Sequence, residues 1–171
     1  MDLDLIVRKL ALKNHPEGGF FAESYRSSEQ IVTGGLVSWQ DEKNAVRSVS
    51  TAIYYLLSGS DFSAFHKIKS DECWHFYLGA PFEIIEITPA GNLVKTVLGI
   101  NLLHGEVPQY TVLAGHWFGS RLKNPSDKKH FGLVGCTVAP GFDFKDFVMA
   151  DRERLSVEFP QHQSIISAMT R

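Results

Sequence analysis

Residues able to transfer a proton lie within sequence that otherwise reads as a buried strand. The run DECWHFYLG, from Asp71 to Gly79, holds Glu72 and His75 among large apolar side chains, and His66 comes shortly before it. Burying such groups without partners costs several kcal/mol. A histidine beside a carboxylate in a partly dry cavity can act as a general base, because its ordinary pKa lies near neutrality. The pattern therefore points to a polar site within an apolar fold.

A second polar stretch, HPEGGFFAESYRS, begins at His15. Its two adjacent glycines, at 18 and 19, permit a tight turn or a close backbone approach to a ligand. Glu17, Glu23 and Arg26 are candidate ligand-binding residues, since a guanidinium holds a carboxylate or phosphate bidentately. The alternative is a rim strand on which Arg26 pairs with Glu23 at the surface. His15 is interpreted as part of a helix stop.

Strand alternation sorts the residues around Glu72 into two faces. If Glu72 points into the fold, Trp74 and Phe76 do so too, and both are ligand-binding candidates. The opposite face then carries Cys73, His75 and Tyr77. We expect His75 to lie in a contact between subunits, or at a cavity rim if the alternation slips.

The elements that must position these residues are predicted to be mostly strands. About ten short runs rich in β-branched and aromatic residues are separated by Gly, Pro, Asp and Asn, which is typical of a β-sandwich or small barrel. The run PGFDFKDF predicts a half-buried strand with Phe142 and Phe144 as core.

Short helices are predicted at both ends of the chain. An N-terminal helix has one apolar face, and a helix in the tail begins near Asp151 and is stopped by Pro160. The apolar residues of these helices are Leu3, Ile6, Val7, Leu10, Leu155, Val157 and Phe159. No linker or repeat interrupts the chain, so residues 1–171 are predicted to form one domain.

Composition narrows the function classes. The 171 residues are 44% hydrophobic and 21% charged with a net charge of −2, so neither a nucleic-acid partner nor a membrane partner is expected. The N-terminus does not resemble a secretion signal. Cys73 and Cys136 both lie in apolar runs, and buried free thiols favour a cytoplasmic location.

Two segments resemble the cupin motifs. His66, Glu72 and Gly79 fit the spacing of the first motif, but Ile68 replaces its second histidine. The run LAGHWF is similar to the second motif, with its histidine replaced by Phe118 and with His116 out of register.

A closer resemblance covers nearly the whole chain. NHPEGGFFAESYRS, SDECWHFYLGAPFEIIEI and VGCTVAPGFDFKDF look like the signatures of an uncharacterised cupin branch that is often labelled predicted sugar epimerase. This resemblance implies an all-β double-stranded β-helix, the cupin jelly roll, as a single cupin domain with a cavity between its sheets. The ligand would be a small molecule.

The resemblance also implies roles. As in cupin epimerases, His66 would be the base, Glu72 would orient it, and one of Tyr25, Tyr54 and Tyr77 would be the acid. Tyr54 and Trp117 join the ligand-binding candidates. In one alternative, His66 and Glu72 form a buried structural pair. In another, the protein is a non-catalytic small-molecule binding module.

No cofactor is expected. A cupin metal is held by three imidazoles and a carboxylate, and this chain offers only His66 and Glu72 from that set. A metal-dependent enzyme with a divalent ion at these two residues stays an alternative. Because cupins commonly pair through sheet edges and faces, a homodimer is also expected.

Overall fold

The structure, a computed structural model, describes residues 3–39, 44–123 and 130–171, apart from the side chain of residue 37. The strands within these ranges are β1 (Lys13–Asn14), β2 (Phe20–Arg26), β3 (Gln30–Val32), β4 (Val46–Ser48), β5 (Thr51–Ser58), β6 (Phe62–Lys67), β7 (Asp71–Gly79), β8 (Phe82–Ile87), β9 (Leu93–Leu98), β10 (Gln109–Val112), β11 (Trp117–Leu122), β12 (Phe131–Ala139) and β13 (Val148–Met149). The α-helices are α1 (Leu3–Lys9), α2 (Arg152–Glu158) and α3 (Gln163–Ala168), and 3-10 turns lie at Val37–Trp39, Leu102–His104, Phe144–Asp146 and Pro160–His162.

The strands pair into two large antiparallel sheets. One has the order β1-β2-β5-β12-β7-β10 and the other the order β13-β6-β11-β8-β9, while β3 and β4 form a separate ribbon. The inner faces of the large sheets share a core that contains Tyr55, Trp74, Phe82 and Phe118. This is the predicted jelly roll with short helices at both ends, so the fold prediction is confirmed.

The helices cover the outer faces of the two sheets. Ile6 of α1 packs with Leu56 and Leu133 on one sheet. On the other sheet, α2 and α3 pack against the outer face of β8. Leu155 and Phe159 are buried there, one helical turn apart, whereas Val157 is 83% exposed. Val157, although apolar and available to pack, stays exposed because it lies on the opposite face of α2. None of the helices in the described ranges is long and apolar enough to span a bilayer.

Strand β7 shows the predicted alternation at its first half. Glu72 and Trp74 are buried on the inner face, while Cys73 and His75 are only partly buried. The Nε2 atom of His75 lies 3.1 Å from the Thr137 hydroxyl on the neighbouring strand β12. His75 therefore has an intramolecular partner on the outer face of the sheet. Its side chain keeps the outward orientation that strand alternation predicts.

The segment after β12 differs from its prediction. It forms a 3-10 turn at Phe144–Asp146 instead of a strand, because the Asp143 side chain caps the turn by accepting a bond from the Lys145 backbone N–H (3.0 Å). Phe142 is half-buried and Phe144 is 52% exposed, so Phe144 is not core. A carboxylate from this turn, Asp146, makes a buried bidentate ion pair with Arg47 of β4, with both contacts at 2.7 Å.

The adjacent glycines form the predicted tight turn before β2. Gly18 and Gly19 have φ values of 114° and 69°, a region that favours glycine. A Cβ at Gly19 would also meet the carbonyl oxygen of Leu56 at 2.6 Å. This turn directs the chain between the two sheets and places Glu17 in the interior.

Candidate functional site

A cavity of about 260 Å³ lies between the sheets at the end where β2 enters. Its walls combine buried polar groups with aromatic rings. The lining residues are His15, Glu17, Phe21, Glu23, Arg26, Thr51, Ile53, Tyr55, His66, Ile68, Glu72, Trp74, Cys136, Val138, Phe142, Asp143, Phe144 and Phe147.

Glu17 is the central acid of this cavity. Its Oε1 atom accepts a hydrogen bond from the Ser63 hydroxyl at 2.9 Å, and its Oε2 atom lies 3.2 Å from Nε2 of His66. The Nδ1 atom of His15 is 3.5 Å from the same Oε2 atom. Glu17 thus connects two imidazoles, one from its own turn and one from β6.

His66 is held in one tautomer. Its Nδ1 atom lies 2.8 Å from the backbone carbonyl of Ala64, and a carbonyl oxygen can only accept, so Nδ1 carries the proton. The ring is fixed by Phe118 and Phe147, with centroids 4.1 Å and 5.1 Å away. In neutral His66, the lone pair of Nε2 therefore faces Glu17.

Burial favours the uncharged forms of Glu17 and His66. Desolvation lowers the pKa of His66 to about 4, against the opposing effect of the Ala64 carbonyl. Desolvation also raises the pKa of Glu17, although His15 and a hydrogen bond from Ser63 act in the other direction. The contact between Glu17 and a neutral His66 becomes a hydrogen bond when Glu17 carries a proton and donates it to Nε2.

Glu72 is a second buried acid on another wall. Burial, and secondarily the charge of Glu17, raise its pKa to about 8, while a hydrogen bond with Cys136 lowers it. Cys136 lies on β12, and burial raises the pKa of its thiol well above the ordinary value. At neutral pH the Glu72 carboxyl is therefore mostly protonated and can donate a hydrogen bond.

The mouth of the cavity carries an exposed ion pair. Arg26 donates to both oxygens of Glu23, at 3.0 Å and 2.7 Å, and also to the Phe142 carbonyl at 3.2 Å. Its pKa is raised chiefly by the hydrogen bond to Glu23. The structure shows the rim pair that was one of two alternatives, and both side chains border the cavity.

The structure brings together some of the predicted site residues and revises the role of others. His66, Glu72, Trp74, Glu17, Glu23 and Arg26 all line the cavity. The carboxylate in contact with His66 is Glu17, however, and not Glu72 as the cupin roles implied. Glu72 instead faces Cys136.

Three predicted ligand-binding residues lie outside the cavity lining. Tyr54 packs on the outer sheet face near α1, since its neighbour Tyr55 takes the inward position on β5. Trp117 packs beside the C-terminal helices with Lys67 over its ring. Phe76 packs against the central core. None of the three tyrosines proposed as the acid lines the cavity, and Tyr25 and Tyr77 are 55% and 50% exposed.

Sequence reasoning missed several lining residues. His15 was assigned to a helix stop, yet it contacts Glu17 and its ring lies 4.5 Å from that of Phe21. Tyr55 donates from its hydroxyl to the Gly18 carbonyl at 2.8 Å, which ties β5 to the glycine turn. The alternation of side chains along β5 could have indicated that Tyr55 points into the cavity. The contact of His15 with Glu17, in contrast, depends on the geometry of the turn.

The residues present do not fit a cupin metal centre. The two positions that would supply further imidazoles hold buried Ile68 and Phe118, and the Phe118 ring packs directly on His66. Within the described ranges, no group of three or more His, Cys, Asp or Glu side chains is arranged to hold a metal ion.

His116 belongs to a different polar cluster. Its Nδ1 atom lies 3.0 Å from Oε2 of buried Glu86, whose Oε1 accepts a 2.5 Å hydrogen bond from the Tyr110 hydroxyl. None of these three residues lines the cavity. Within this cluster, Tyr110 and His116 each contact one of the two carboxyl oxygens of Glu86.

Comparisons with known proteins agree with this architecture. The family described as Cupin superfamily (DUF985) matches residues 4–150. An uncharacterized protein of Saccharomyces cerevisiae is 31% identical over 150 residues, which are 84% of this chain and 73% of the relative. A solved Shewanella oneidensis protein has a TM-score of 0.86 at 35% identity, covering 100% of this chain and 98% of its own.

Two further solved structures extend the comparison. A hypothetical protein from Leishmania major has a TM-score of 0.87 at 29% identity, with 99% of both chains covered. Oxalate decarboxylase from Bacillus subtilis has a TM-score of 0.52 at 12% identity, covering 91% of this chain and 36% of its own, and shares the fold alone. From the family match and these likenesses, the chain belongs to the cupin superfamily, in the branch described as DUF985.

Proposed function

We propose that this cupin is an enzyme of the isomerase or epimerase type, which moves a proton at a carbon next to a carbonyl group. One observation carries the proposal: buried Glu17 and His66 contact each other at 3.2 Å in a cavity that also contains the buried acid Glu72. Two acids in different surroundings suit a reaction that needs a base and an acid together.

Glu17 is the proposed base, with His66 as its partner. Ionised Glu17 takes the proton from the substrate carbon, and the electrons of the C–H bond move toward the carbonyl oxygen. The new carboxylic acid is stabilised because it donates to Nε2 of His66. The raised pKa of Glu17 makes it a stronger base than an exposed glutamate, whereas His66 alone is a weak base with a pKa near 4.

Glu72 is the proposed acid. Its protonated carboxyl donates to the carbonyl oxygen as negative charge develops there, which is a recognised use of a buried neutral acid. In an isomerisation, Glu17 then gives its proton to the former carbonyl carbon while Glu72 recovers a proton from the hydroxyl group of the original carbon, which restores both acids. In an epimerisation, the enediol turns over in the cavity before Glu17 returns the proton to the original carbon, and Glu72 recovers the proton that it gave to the oxygen. Because Glu72 ionises with a pKa of about 8, we expect the rate to fall above that pH.

A binding module without turnover is the second candidate. It is favoured by the large share of aromatic side chains in the lining, which suits binding of a small molecule as well as catalysis. Binding that persists unchanged after loss of Glu17 and His66 would favour this candidate. Neither candidate includes a step that uses a metal or a cofactor.

Deuterium exchange tests the enzyme proposal without knowledge of the natural substrate. The protein is incubated in deuterium oxide with small aldoses, ketoses and hydroxyketones, and proton NMR follows the loss of the signal next to each carbonyl. We expect exchange with at least one compound, and a loss of about 100-fold or more in Glu17→Gln and His66→Ala.

The matched control is Glu83→Gln. Glu83 is a glutamate of β8 that pairs with Arg121 (2.7 Å) outside the cavity, so its replacement should leave exchange unchanged. Exchange that survives in Glu17→Gln, or a wild-type protein that exchanges no compound, would contradict the proposal.

A further inference from the structure

A bulge in β6 links the proposed base to the segment that follows α3. The register between β6 and β11 shifts, so that Ala64 and Phe65 together lie opposite one residue of β11. The backbone N–H of Ala64 donates to the Glu17 carbonyl (2.8 Å), and the N–H of Phe65 donates to the Met169 carbonyl (2.7 Å). The backbone of Glu17 and the segment after α3 are therefore bound to neighbouring residues of one strand.

The guanidinium of Arg171 extends from this segment to the glycine turn. Its Nε atom donates to the Glu17 carbonyl (3.3 Å), and its Nη2 atom donates to the Phe62 carbonyl (3.0 Å) and to Oδ1 of Asp61 (2.6 Å). The approach is close, because a Cβ at Gly18 would overlap Nη2 of Arg171. Arg171 thus binds the turn and the start of β6 together.

Asp61 binds the other side of the same turn. Its Oδ2 atom accepts a hydrogen bond from the Gly19 backbone N–H (2.9 Å), while its Oδ1 atom accepts from Arg171. This pair, the turn clamp of Asp61 and Arg171, therefore contacts the main chain at both Glu17 and Gly19. Because a side chain moves with its backbone, the turn clamp sets where the Glu17 carboxyl lies relative to His66.

The turn clamp is suited to local positioning and not to global stability. The side chains of Arg171 and Asp61 are 46% and 37% exposed, and exposed ion pairs contribute little to the free energy of unfolding. Neither residue lines the cavity. A displacement of about 1 Å in a reacting group can nevertheless cost about 100-fold in rate, even when the altered residue is remote from the chemistry.

We propose that Arg171 and Asp61 are positioning residues, which hold the glycine turn so that the Glu17 carboxyl stays in contact with Nε2 of His66. This inference rests on the proposed function, because it assigns the residues that position the proposed base. The contact between Glu17 and His66 can also be followed without any substrate, so the two proposals can fail separately.

Nitrogen NMR of labelled histidine tests the turn clamp without a substrate. Arg171→Met keeps an apolar stem but removes every donor of the guanidinium. We expect the Nε2 signal of His66 to shift in this variant in the same direction as in Glu17→Ala, because Nε2 loses its carboxyl partner in both. The signal of His116, which contacts Glu86 outside the cavity, should not move.

Deuterium exchange measures the consequence for catalysis. For a compound that the wild type exchanges, Arg171→Met and Asp61→Ala should each lower kcat by about tenfold or more, with KM changed by less than about threefold. KM should stay nearly constant because neither residue lines the cavity. The double variant should lose no more than the more affected single variant, since the two residues act as one unit.

Arg121→Met is the matched control for Arg171→Met. Arg121 also pairs with a carboxylate at 2.6 Å, and its side chain is 42% exposed, but its partner is Glu83 and not a residue beside the glycine turn. The His66 signal and kcat should keep their wild-type values in this control. Thermal unfolding should place the midpoints of both Arg variants within about 4 °C of the wild type.

An unchanged His66 signal or an unchanged kcat in folded Arg171→Met would overturn the inference. Additive losses in the double variant would do so as well, because they would show that Asp61 and Arg171 act separately. A shifted His66 signal, together with a wild type that exchanges no compound, would retain the turn clamp and reject the enzyme proposal. Wild-type exchange that does not depend on Arg171 would do the reverse.

Discussion

The chemistry of individual residues depends on how deeply each is buried. Glu17 and Glu72 are the same residue type in one cavity, yet one contacts an imidazole and the other a thiol. Desolvation raises the pKa of both acids, and the polar partners of each oppose that rise. The two acids can therefore take different parts in one reaction.

Glu72 should make the protein less stable as the pH rises. Its pKa is raised from 4.5 to about 8, so the stability that its protonated form contributes is present below 4.5 and is lost as the pH rises to 8. In that window we expect the free energy of unfolding of the wild type to fall relative to Glu72→Gln by about 1.4 kcal/mol per pH unit at most.

Urea unfolding at a series of pH values measures this difference. His66 acts oppositely, because its lowered pKa of about 4 costs stability as the pH falls from 6.5. The comparison with Glu72→Gln separates the two effects, although Glu17 and Cys136 also face Glu72. A difference between the two proteins that stays constant with pH would show that Glu72 titrates normally.

Among the elements, the strands were more predictable than the turns. Side chains alternate between the two faces of a strand, and this alternation predicted that Glu72 and Trp74 lie on the inner face of β7. The burial pattern of β7 confirms the prediction. The same reasoning failed after β12, where Asp143 caps a 3-10 turn. It also did not reveal Glu17 as the partner of His66, since that contact depends on a turn and joins distant parts of the chain.

The turn at Phe144–Asp146 is anchored by its ion pair with Arg47. Both side chains are buried, so removal of the Asp146 carboxylate takes away the two 2.7 Å hydrogen bonds that the buried Arg47 guanidinium donates to it. We expect Asp146→Ala to lower the free energy of unfolding by about 3–5 kcal/mol. Because Phe144 lies within this turn, Phe147 follows it and both line the cavity, deuterium exchange should slow as well.

Glu23→Ala provides the matched comparison for stability. It removes the carboxylate of another bidentate ion pair, but the Glu23 and Arg26 side chains are each 42% exposed. Its effect on the free energy of unfolding should be less than about 1 kcal/mol. Equal losses in the two variants, measured by urea unfolding, would contradict the role assigned to burial.

At the scale of the whole molecule, the fold was predictable and the reaction was not. Three separated sequence signatures implied a cupin jelly roll, which the strand order and the family match confirm. The reaction depends on a few side chains whose approach is set by loops, and one fold supports many reactions. The single-domain organisation stays a prediction.

The homodimer also stays a prediction, and we propose it for the protein in solution. Exposed apolar residues on the ribbon of β3 and β4 and beside it favour a contact with another subunit. These residues are Tyr25, Ile31, Val32, Val46 and Val49. Light scattering coupled to gel filtration should give twice the chain mass, and the mass of one chain would refute the proposal.

The pairing of His66 with Glu17 is tested most directly by nitrogen NMR of labelled histidine across a pH titration. The structure predicts that His66 stays neutral with its proton on Nδ1, donated to Ala64, and becomes protonated only near pH 4. In Glu17→Gln, the Nε2 signal should shift, because its partner has changed. A midpoint near the ordinary value of 6.5, or a proton on Nε2 in the neutral form, would contradict the account.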